Sequence, residues 1–322
     1  MDDVIPFLEN VLRGKNVPRQ RMLEVAEHYR HFDGVSPINQ QNRTLIAALR
    51  KELDGLGIEL PIYWGNRNWQ PLLPDVLRQM RDDGRQRTIA FFTSMFSCYA
   101  GCRQYRENIL DAQQQIGAGA PHIEKVRKGF NHPLFIAAQA DLVRSGLQKL
   151  EPQRRDAAKI LFTAHSIPMS MADNSSYALQ LNEACQLVAL EVGHSNWELV
   201  YQSRSGPPQQ AWLEPDICER IKQLPSEGTR DVVVVPIGFI SDHMEVLFDL
   251  DTEAKQLCER LELGFVRVPS VGVHPQFVTM IAQLLRERIE QLDARPAMGS
   301  LGPSHDVCPI DCCLYPRPTA KE

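Results

Sequence analysis

Short, almost continuously apolar runs alternate with longer amphipathic stretches along most of this chain of 322 residues. Strands of parallel sheets have this character because helices cover both of their faces. The alternation therefore predicts an α/β protein with parallel sheets. We predict strands at residues 60–64, 88–93, 159–163, 197–202, 231–236 and 264–268, and helices at residues 4–13, 21–28, 39–56, 72–81, 176–190 and 244–261.

A polar stretch with a proline, residues 150–156 (LEPQRRD), divides the chain into halves of similar size. Each half contains a basic residue, an apolar run, a serine and a polar helix start in that order, within RTIAFFTSMFSC and RDVVVVPIGFIS. We predict two similar doubly wound, Rossmann-like domains, at residues 1–150 and 151–294. Residues 295–322 are rich in Pro and Cys and should form an irregular tail.

Charge and hydropathy exclude some classes of protein. The net charge of −5 gives no reason to expect a nucleic-acid partner. The longest apolar stretch, residues 232–240, is far shorter than the roughly 20 residues of a membrane span. The N-terminus, MDDVIPFLEN, is acidic and contains a proline, unlike a signal peptide. We therefore expect a cytoplasmic protein.

Candidate functional residues follow two of the predicted strands. His165 comes just after an apolar run in KILFTAHSIP, and Ser241, Asp242, His243 and Glu245 follow the run VVVVP. In open α/β sheets, ligands bind outside the carboxyl ends of the strands. Ser241 or Asp242 would also serve as the N-cap of the helix that follows.

Three carboxylates share one face of that predicted helix. Glu245, Asp249 and Glu253 are spaced four residues apart, although like charges at this spacing weaken a helix. The row is either a solvated surface or a path that passes cations or protons inward. An imidazole paired with a carboxylate suits a borderline metal such as ferrous iron, so His165 and Glu245 are candidate ligands; a structural role for His165 is the alternative.

The eight cysteines fall into two groups. Cys185, Cys218 and Cys258, in the body of the chain, are typical of small buried hydrophobic residues. The tail instead concentrates three cysteines. In a cytosolic protein such a cluster indicates metal binding rather than disulfides.

Several segments resemble the ferrochelatase family over essentially the whole chain. The signature segments are AHSIPMS, WELVYQSRSGPPQQAWLEPD and PIGFISDHMEVLFDLD. The segments PFLENVLRG, HYRHFDGVSPINQQNR, PIYWGNRNWQP and SCYAGCRQYRENI resemble the actinobacterial, coproporphyrin-using type in particular. The resemblance implies the chelatase fold, with an active-site cleft between the two domains. It also implies insertion of Fe²⁺ into a porphyrin in haem biosynthesis, with release of two protons. Coproporphyrin III is the favoured substrate and protoporphyrin IX the alternative.

The resemblance also assigns roles to the residues at the two strand ends. His165 matches the active-site histidine, and Glu245 matches its partner carboxylate across the porphyrin cleft. Asp249 and Glu253 match an acidic row that guides metal or protons. Which of His165 and Glu245 takes protons and which handles iron stays open at this point.

Arg13, Ser36 and Tyr105 match positions that contact the porphyrin, and an arginine suits a propionate. One departure concerns the start of the chain. Members of the family begin with an apolar strand and a glycine-containing loop ahead of the segment PFLENV, whereas this sequence begins with Met1, Asp2 and Asp3. We therefore expect the natural protein to start further upstream.

Some ferrochelatases hold a [2Fe–2S] cluster with one internal cysteine and three near the C-terminus. By this resemblance Cys102 is the internal ligand, and Cys308, Cys312 and Cys313 are the other three. A cluster needs four thiolates. The tail spacing C-x₃-C-C differs from the better-known spacings, and structural zinc is the main alternative.

Three other functions stay open on the sequence alone. The chain could be a chelatase for another metal and tetrapyrrole, a truncated paralogue that binds porphyrin or haem without turnover, or an iron–sulfur redox protein. The last of these leaves His165, Glu245 and the acidic row unexplained. The expected partners are porphyrin and ferrous iron, with no nucleic acid and no transmembrane segment, and the oligomeric state is not predicted.

Overall fold

The structure is a computed structural model that describes residues 2–13, 18–30 and 32–315, without the side chain of Arg21. Residues 316–322 of the predicted tail lie outside this range. The strands are β1 (Arg87–Ala90), β2 (His122–Lys125), β3 (Lys159–His165), β4 (Trp197–Gln202), β5 (Asp231–Val235) and β6 (Gly264–Arg267). The helices are α1 (Val4–Leu12), α2 (Arg19–Arg30), α3 (Ile38–Gly55), α4 (Leu73–Asp82), α5 (Gln104–Ile116), α6 (Pro133–Leu147), α7 (Pro152–Arg155), α8 (Met169–Ala172), α9 (Tyr177–Val192), α10 (Ile217–Gln223), α11 (Met244–Val246), α12 (Lys255–Arg260) and α13 (Pro275–Ile289). Two π-helical segments (Tyr99–Arg103 and Leu247–Ala254) and a 3₁₀ turn (Leu224–Glu227) complete the set.

The C-terminal sheet has four parallel strands in the order β4–β3–β5–β6. The two central strands are buried almost throughout, and their side chains alternate between two apolar clusters. Phe162 and Val233 belong to the cluster that includes residues of α6 and α9, whereas Leu161 and Val234 belong to the cluster with α10 and α12. Helices thus cover both faces, as the continuous apolar runs predicted. The four strands predicted in this half are confirmed, with ends shifted by at most two residues.

The N-terminal sheet differs from the prediction, because only β1 and β2 pair in it, in parallel. Residues 60–64 were predicted as a strand and that prediction is wrong. No described strand pairs with this segment, which lines an apolar cavity of about 800 Å³ together with β1. The sequence missed β2, whose residues HIEK are polar and partly exposed and so carry no apolar signal.

The predicted helices are confirmed to within two residues at each end, except for residues 244–261. That stretch divides into α11, the π-helix Leu247–Ala254 and α12. The predicted cap is also wrong. His243 is the residue before α11, and it makes no side-chain cap bond. Asp242 does not cap the helix because its carboxylate instead accepts bonds from Arg267 and Ser270.

Packing crosses the middle of the chain in both directions. α6 precedes residue 150 but packs against α9 and β5, and α13 follows it but packs against α3. One apolar cluster accordingly contains Leu49, Phe135 and Phe277. The domain boundary near residue 150 stays a prediction. In the described part of the chain, no helix combines the length and apolar character that crossing a bilayer requires.

Candidate active site and cysteine cluster

The structure brings His165 and Glu245 together. His165 is the last residue of β3. Glu245 lies in α11, the helix that follows the loop after the neighbouring strand β5. The Nε2 atom of His165 lies 3.9 Å from Oε2 of Glu245. The carboxyl ends of adjacent parallel strands meet at one sheet edge, which explains why residues far apart in sequence meet here. Both side chains reach solvent, with 35% and 58% of their surface exposed.

The backbone around His165 fixes which ring nitrogen is available. Nδ1 lies 2.5 Å from the carbonyl oxygen of Ser166. A carbonyl only accepts hydrogen bonds, so Nδ1 carries the proton and the neutral ring leaves a lone pair on Nε2. The hydroxyl of Tyr177 donates to the carbonyl of His165 at 3.0 Å and holds the end of β3.

The loop after β5 can approach β3 because residue 238 is a glycine. The N–H of Gly238 donates to the carbonyl of Thr163 at 3.0 Å. A Cβ at this position would lie 2.6 Å from Cβ of Ala164. A side chain would therefore push the loop away from the strand end that carries His165.

In the acidic row, Asp249 is half-buried and lies between two exposed carboxylates, Glu245 and Glu253. Gln202, at the end of β4, donates to Oδ2 of Asp249 at 3.1 Å, and the hydroxyl of Ser203 donates to the same oxygen. Burial raises the pKa of Asp249 to about 7, the bond from Ser203 opposes the rise, and the charge of Glu245 adds to it. Burial also raises the pKa of Glu253. Asp249 therefore exchanges a proton near neutral pH, which a solvated surface carboxylate does not do.

Two further residues lie at the site: His243, which the sequence analysis includes among the candidates at this strand end without a role, and Tyr29, which it does not single out. His243 lies near Glu245 and His165, and burial lowers its pKa although the charge of Glu245 opposes this. Its place in the segment SDH-x-E was a visible signal. Tyr29, on α2, has a pKa raised to about 12, mainly by burial and also by the charge of Glu245. The sequence contained no signal for Tyr29, because α2 reaches this site only through tertiary packing.

The three predicted porphyrin contacts are not gathered into one pocket. Arg13 is exposed at the end of α1, where it donates to Asn10, and Ser36 accepts a bond from Ile38 before α3. Tyr105 lines the apolar cavity of the N-terminal half, which neither His165 nor Glu245 lines.

The aromatic ring of Tyr105 contacts two neighbouring side chains. Its ring stacks on Phe92, with centroids 4.9 Å apart, and the Arg67 guanidinium carbon lies 4.8 Å from its centroid.

All four predicted cluster cysteines lie close together. Sγ of Cys102, on the π-helical segment Tyr99–Arg103, is 4.0 Å from Sγ of Cys308, and Sγ of Cys312 is 3.5 Å from Sγ of Cys313. His305 adds an Nε2 atom 3.8 Å from Sγ of Cys312. The hydrogen bond with Cys102, together with burial, raises the pKa of Cys308 to about 12. A cation that bound here would displace thiol protons.

The tail is held in place by cations from the N-terminal half. Nη1 of Arg103, next to Cys102, donates to the carbonyls of Ile310 and Cys312 at 2.7 and 3.3 Å. Nζ of Lys125 donates to the carbonyl of His305 at 3.0 Å. These bonds fix the backbone on both sides of Cys308, so the sulfur atoms are positioned by the fold and not only by a bound metal.

The architecture is that of a chelatase-fold protein. SirB from Bacillus subtilis, in a structure with Fe³⁺, superposes with a TM-score of 0.54 over 78% of this chain and 92% of SirB, at 12% identity. The sirohydrochlorin chelatase SirB from Bacillus subtilis subspecies spizizenii, in complex with cobalt, gives a TM-score of 0.51 over 79% of this chain and 92% of that one, also at 12% identity. Identities this low show the shared fold and nothing further.

The Ferrochelatase family model matches residues 1–289, and the chain belongs to the ferrochelatase family. It is 62% identical over 317 residues to the ferrochelatase of Rhodopirellula baltica, covering 98% of this chain and 90% of that protein. It is 47% identical over 343 aligned positions to the coproporphyrin III ferrochelatase of Streptomyces coelicolor, covering 99% and 92% respectively. The chain is therefore a porphyrin metal chelatase of haem biosynthesis, with ferrous iron and a porphyrin as substrates. The three tail cysteines lie beyond the family match.

Proposed function

We propose that the chain inserts Fe²⁺ into coproporphyrin III at the paired side chains of His165 and Glu245. The observation that carries this proposal is the 3.9 Å approach of His165 Nε2 to Glu245 Oε2 at the edge where β3 and β5 end. One of these groups is an imidazole base and the other an anionic oxygen ligand, which are the two functions that the reaction needs. The similarity to coproporphyrin III ferrochelatases supports the choice of porphyrin.

His165 accepts the pyrrole protons. Two N–H protons must leave the ring for each iron that enters it. The hydrogen bond from Nδ1 to Ser166 leaves Nε2 as the basic atom. Imidazole changes its charge near neutral pH, which makes it an effective general base.

Glu245 receives the iron on the same face of the porphyrin. The distance between His165 and Glu245 supports this arrangement over one in which the ring lies between the two side chains. A flat ring needs about 3.5 Å of clearance on each side, so the atoms that contact it would be about 7 Å apart. The observed 3.9 Å is too short for that arrangement. Both groups therefore act from one side of the ring.

Asp249 takes the protons onward from the pair. Its pKa of about 7 lets the carboxyl accept and release a proton near neutral pH. Glu253 extends the row by one further carboxylate. Each turnover sends two protons along this path while one Fe²⁺ replaces them in the ring.

Substitution of His165 and Glu245 tests the site. We expect H165A to lower the anaerobic insertion rate by at least about 100-fold, because a general base contributes that much, while porphyrin affinity stays within about threefold. E245Q, which keeps the size of the side chain and removes its charge, should lower the rate and raise the KM for Fe²⁺. H122A and E259Q alter exposed groups of the same types and serve as matched controls. Insertion by H165A at the rate of H122A would contradict the proposal.

We also propose that Cys102, Cys308, Cys312 and Cys313 hold a [2Fe–2S] cluster. Cys102, Cys308, Cys312 and Cys313 would supply the four thiolates that such a cluster needs. When bound, such a cluster ties the tail to the N-terminal half and makes this link sensitive to oxidants. His305 lies within 4.8 Å of the Cys308 and Cys312 ligand atoms, which keeps a zinc site as the rival.

Elemental analysis separates these two occupants. We expect anaerobically purified protein to contain two irons and two acid-labile sulfides per chain, because each cluster holds that number. C102S should lose both, whereas C218S, at a half-buried cysteine away from the tail, should keep them. One zinc per chain without sulfide would contradict the cluster. A cytoplasmic location stays a prediction from the sequence.

A further inference from the structure

The side chain of Gln41 connects the N-terminal half to the loop that precedes Glu245. Gln41 lies in the first turns of α3, and its amide makes two reciprocal hydrogen bonds with the backbone of Asp242. The N–H of Asp242 donates to Oε1 at 2.8 Å, and Nε2 donates to the carbonyl of Asp242 at 3.3 Å. The two residues are 201 positions apart in the chain. A primary amide that forms hydrogen bonds with both backbone groups of one residue fixes the position and the orientation of that residue.

Asp242 is held from the other side by its own side chain. Its Oδ1 atom accepts bonds from Nη1 of Arg267 at 2.7 Å and from the Ser270 hydroxyl at 2.6 Å. Arg267 is itself paired with Asp251 through two bonds of 2.8 Å. The carboxylate of Asp242 is thus bonded to residues of the C-terminal half, whereas its backbone is bonded to Gln41 of α3. Asp242 is therefore a point where the two halves meet.

Asp242 immediately precedes His243 and lies three positions before Glu245. The π-helix that follows also contacts the N-terminal half, because Phe248 stacks on His28 of α2 at 3.8 Å. On the other side of Gln41, Ser36 lies five positions earlier in the chain. One short segment therefore runs from a predicted porphyrin contact to the residue that anchors the predicted iron ligand.

We propose that Gln41 is a positioning residue for metal insertion. It sets the position of His243 and Glu245 relative to a porphyrin held by the N-terminal half. Gln41 acts through Asp242, to whose backbone both of its amide atoms are bonded. Loss of its two bonds lets the loop shift against α3. The oxygens of Glu245 are then displaced relative to the porphyrin ring. The proposal rests on the assignment of Glu245 to iron handling.

The test compares Q41M with Q40M. Methionine keeps the length of the glutamine side chain and makes neither bond, and Gln40 is an exposed neighbour on the same helix. We expect Q41M to lower kcat by about 10-fold and to raise the KM for Fe²⁺, because small misplacements of a reacting group are costly. The Kd for porphyrin, measured by fluorescence quenching without iron, should stay within about twofold of that of Q40M. If Gln41 only stabilised the fold, Q41M would not lower kcat and raise the KM for Fe²⁺ while the Kd for porphyrin stayed unchanged.

The kinetic constants and the porphyrin affinity of Q41M together decide the outcome. The proposal is overturned if kcat and the KM for Fe²⁺ of Q41M equal those of Q40M, or if porphyrin affinity falls in parallel with kcat. Q41E keeps the acceptor for the Asp242 N–H, so it should fall between wild type and Q41M and provides the test if Q41M does not fold. E245Q is assayed beside them. Normal insertion by E245Q would refute the assignment of Glu245, whereas an impaired E245Q with a normal Q41M would refute only the role of Gln41.

Discussion

Asp249 is the residue whose protonation state differs most clearly from that of an ordinary surface carboxylate. Its pKa rises from 3.8 to about 7, chiefly because the fold buries it. Between pH 4 and 7 the unfolded chain has lost this proton while the folded chain retains it. The contribution of Asp249 to stability therefore falls as the pH rises through this window, and the full cost is present above pH 7.

We predict that D249N removes this pH dependence. Asparagine keeps an oxygen for Gln202 and Ser203 and never ionises. The Tm of D249N minus the Tm of wild type should therefore increase between pH 5 and pH 8, measured without iron in a thermal scan. D293N changes an exposed aspartate and should give a difference that does not vary with pH. A constant difference for D249N as well would show that Asp249 is ionised throughout.

The sequence predicted some residues of the site and not others, for a physical reason. His165 and Glu245 follow apolar runs, and the strand-end rule identifies such positions without a structure. Gln41 and Tyr29 reach the site from helices α3 and α2, where nothing in the local pattern distinguishes them from surface residues. Their roles depend on how the two halves pack against each other, which the spacing of residue types along the sequence does not show.

The strands whose two faces are both buried agree with the prediction from the sequence. β5 reads DVVVV and was predicted because its four consecutive valines show no helical alternation. β2 was missed because its polar residues gain their strand geometry only from pairing with β1. The residues predicted as a strand at 60–64 have the composition of a strand but no partner among the described residues.

The junction of β3 with the loop after β5 gives a prediction at this scale. G238A would place a Cβ 2.6 Å from Cβ of Ala164, closer than such atoms approach. We expect a loss of about 1–3 kcal/mol in the free energy of unfolding, measured in urea, together with a lower insertion rate because His165 follows Ala164. G55A has open space around the new methyl group and should be neutral or slightly stabilising. Equal stability of the two variants would contradict the close packing described here.

At the scale of the whole molecule, a buried ion pair joins the two halves and the tail. Arg127, after β2, donates to both oxygens of Glu287 on α13 at 2.7 and 2.9 Å, and also to the carbonyl of Pro296. Both charged side chains are almost fully buried. An ion pair in this position specifies where α13 and the start of the tail must lie, because without Arg127 the buried Glu287 carboxylate keeps only Arg295, at 3.7 Å.

We predict that R127M lowers the free energy of unfolding by about 3 kcal/mol, because Glu287 then keeps a buried charge whose remaining cationic partner, Arg295, is 3.7 Å away. Urea unfolding followed by circular dichroism measures this loss. R286M breaks the exposed pair between Arg286, on the same helix, and Glu290, just after its end, and it should lower the free energy of unfolding far less than R127M does. A small effect of R127M would mean that water reaches Glu287 and that the tail is less firmly joined than its contacts indicate.

The central claim is that this chain metallates coproporphyrin III with ferrous iron at the His165–Glu245 site. The most direct measurement is an anaerobic insertion assay by visible absorbance, with Fe²⁺ and either coproporphyrin III or protoporphyrin IX in parallel reactions. The account predicts turnover with coproporphyrin III at a higher kcat/KM than with protoporphyrin IX, and loss of turnover in H165A. Porphyrin binding without turnover, or a preference for protoporphyrin IX, would contradict it.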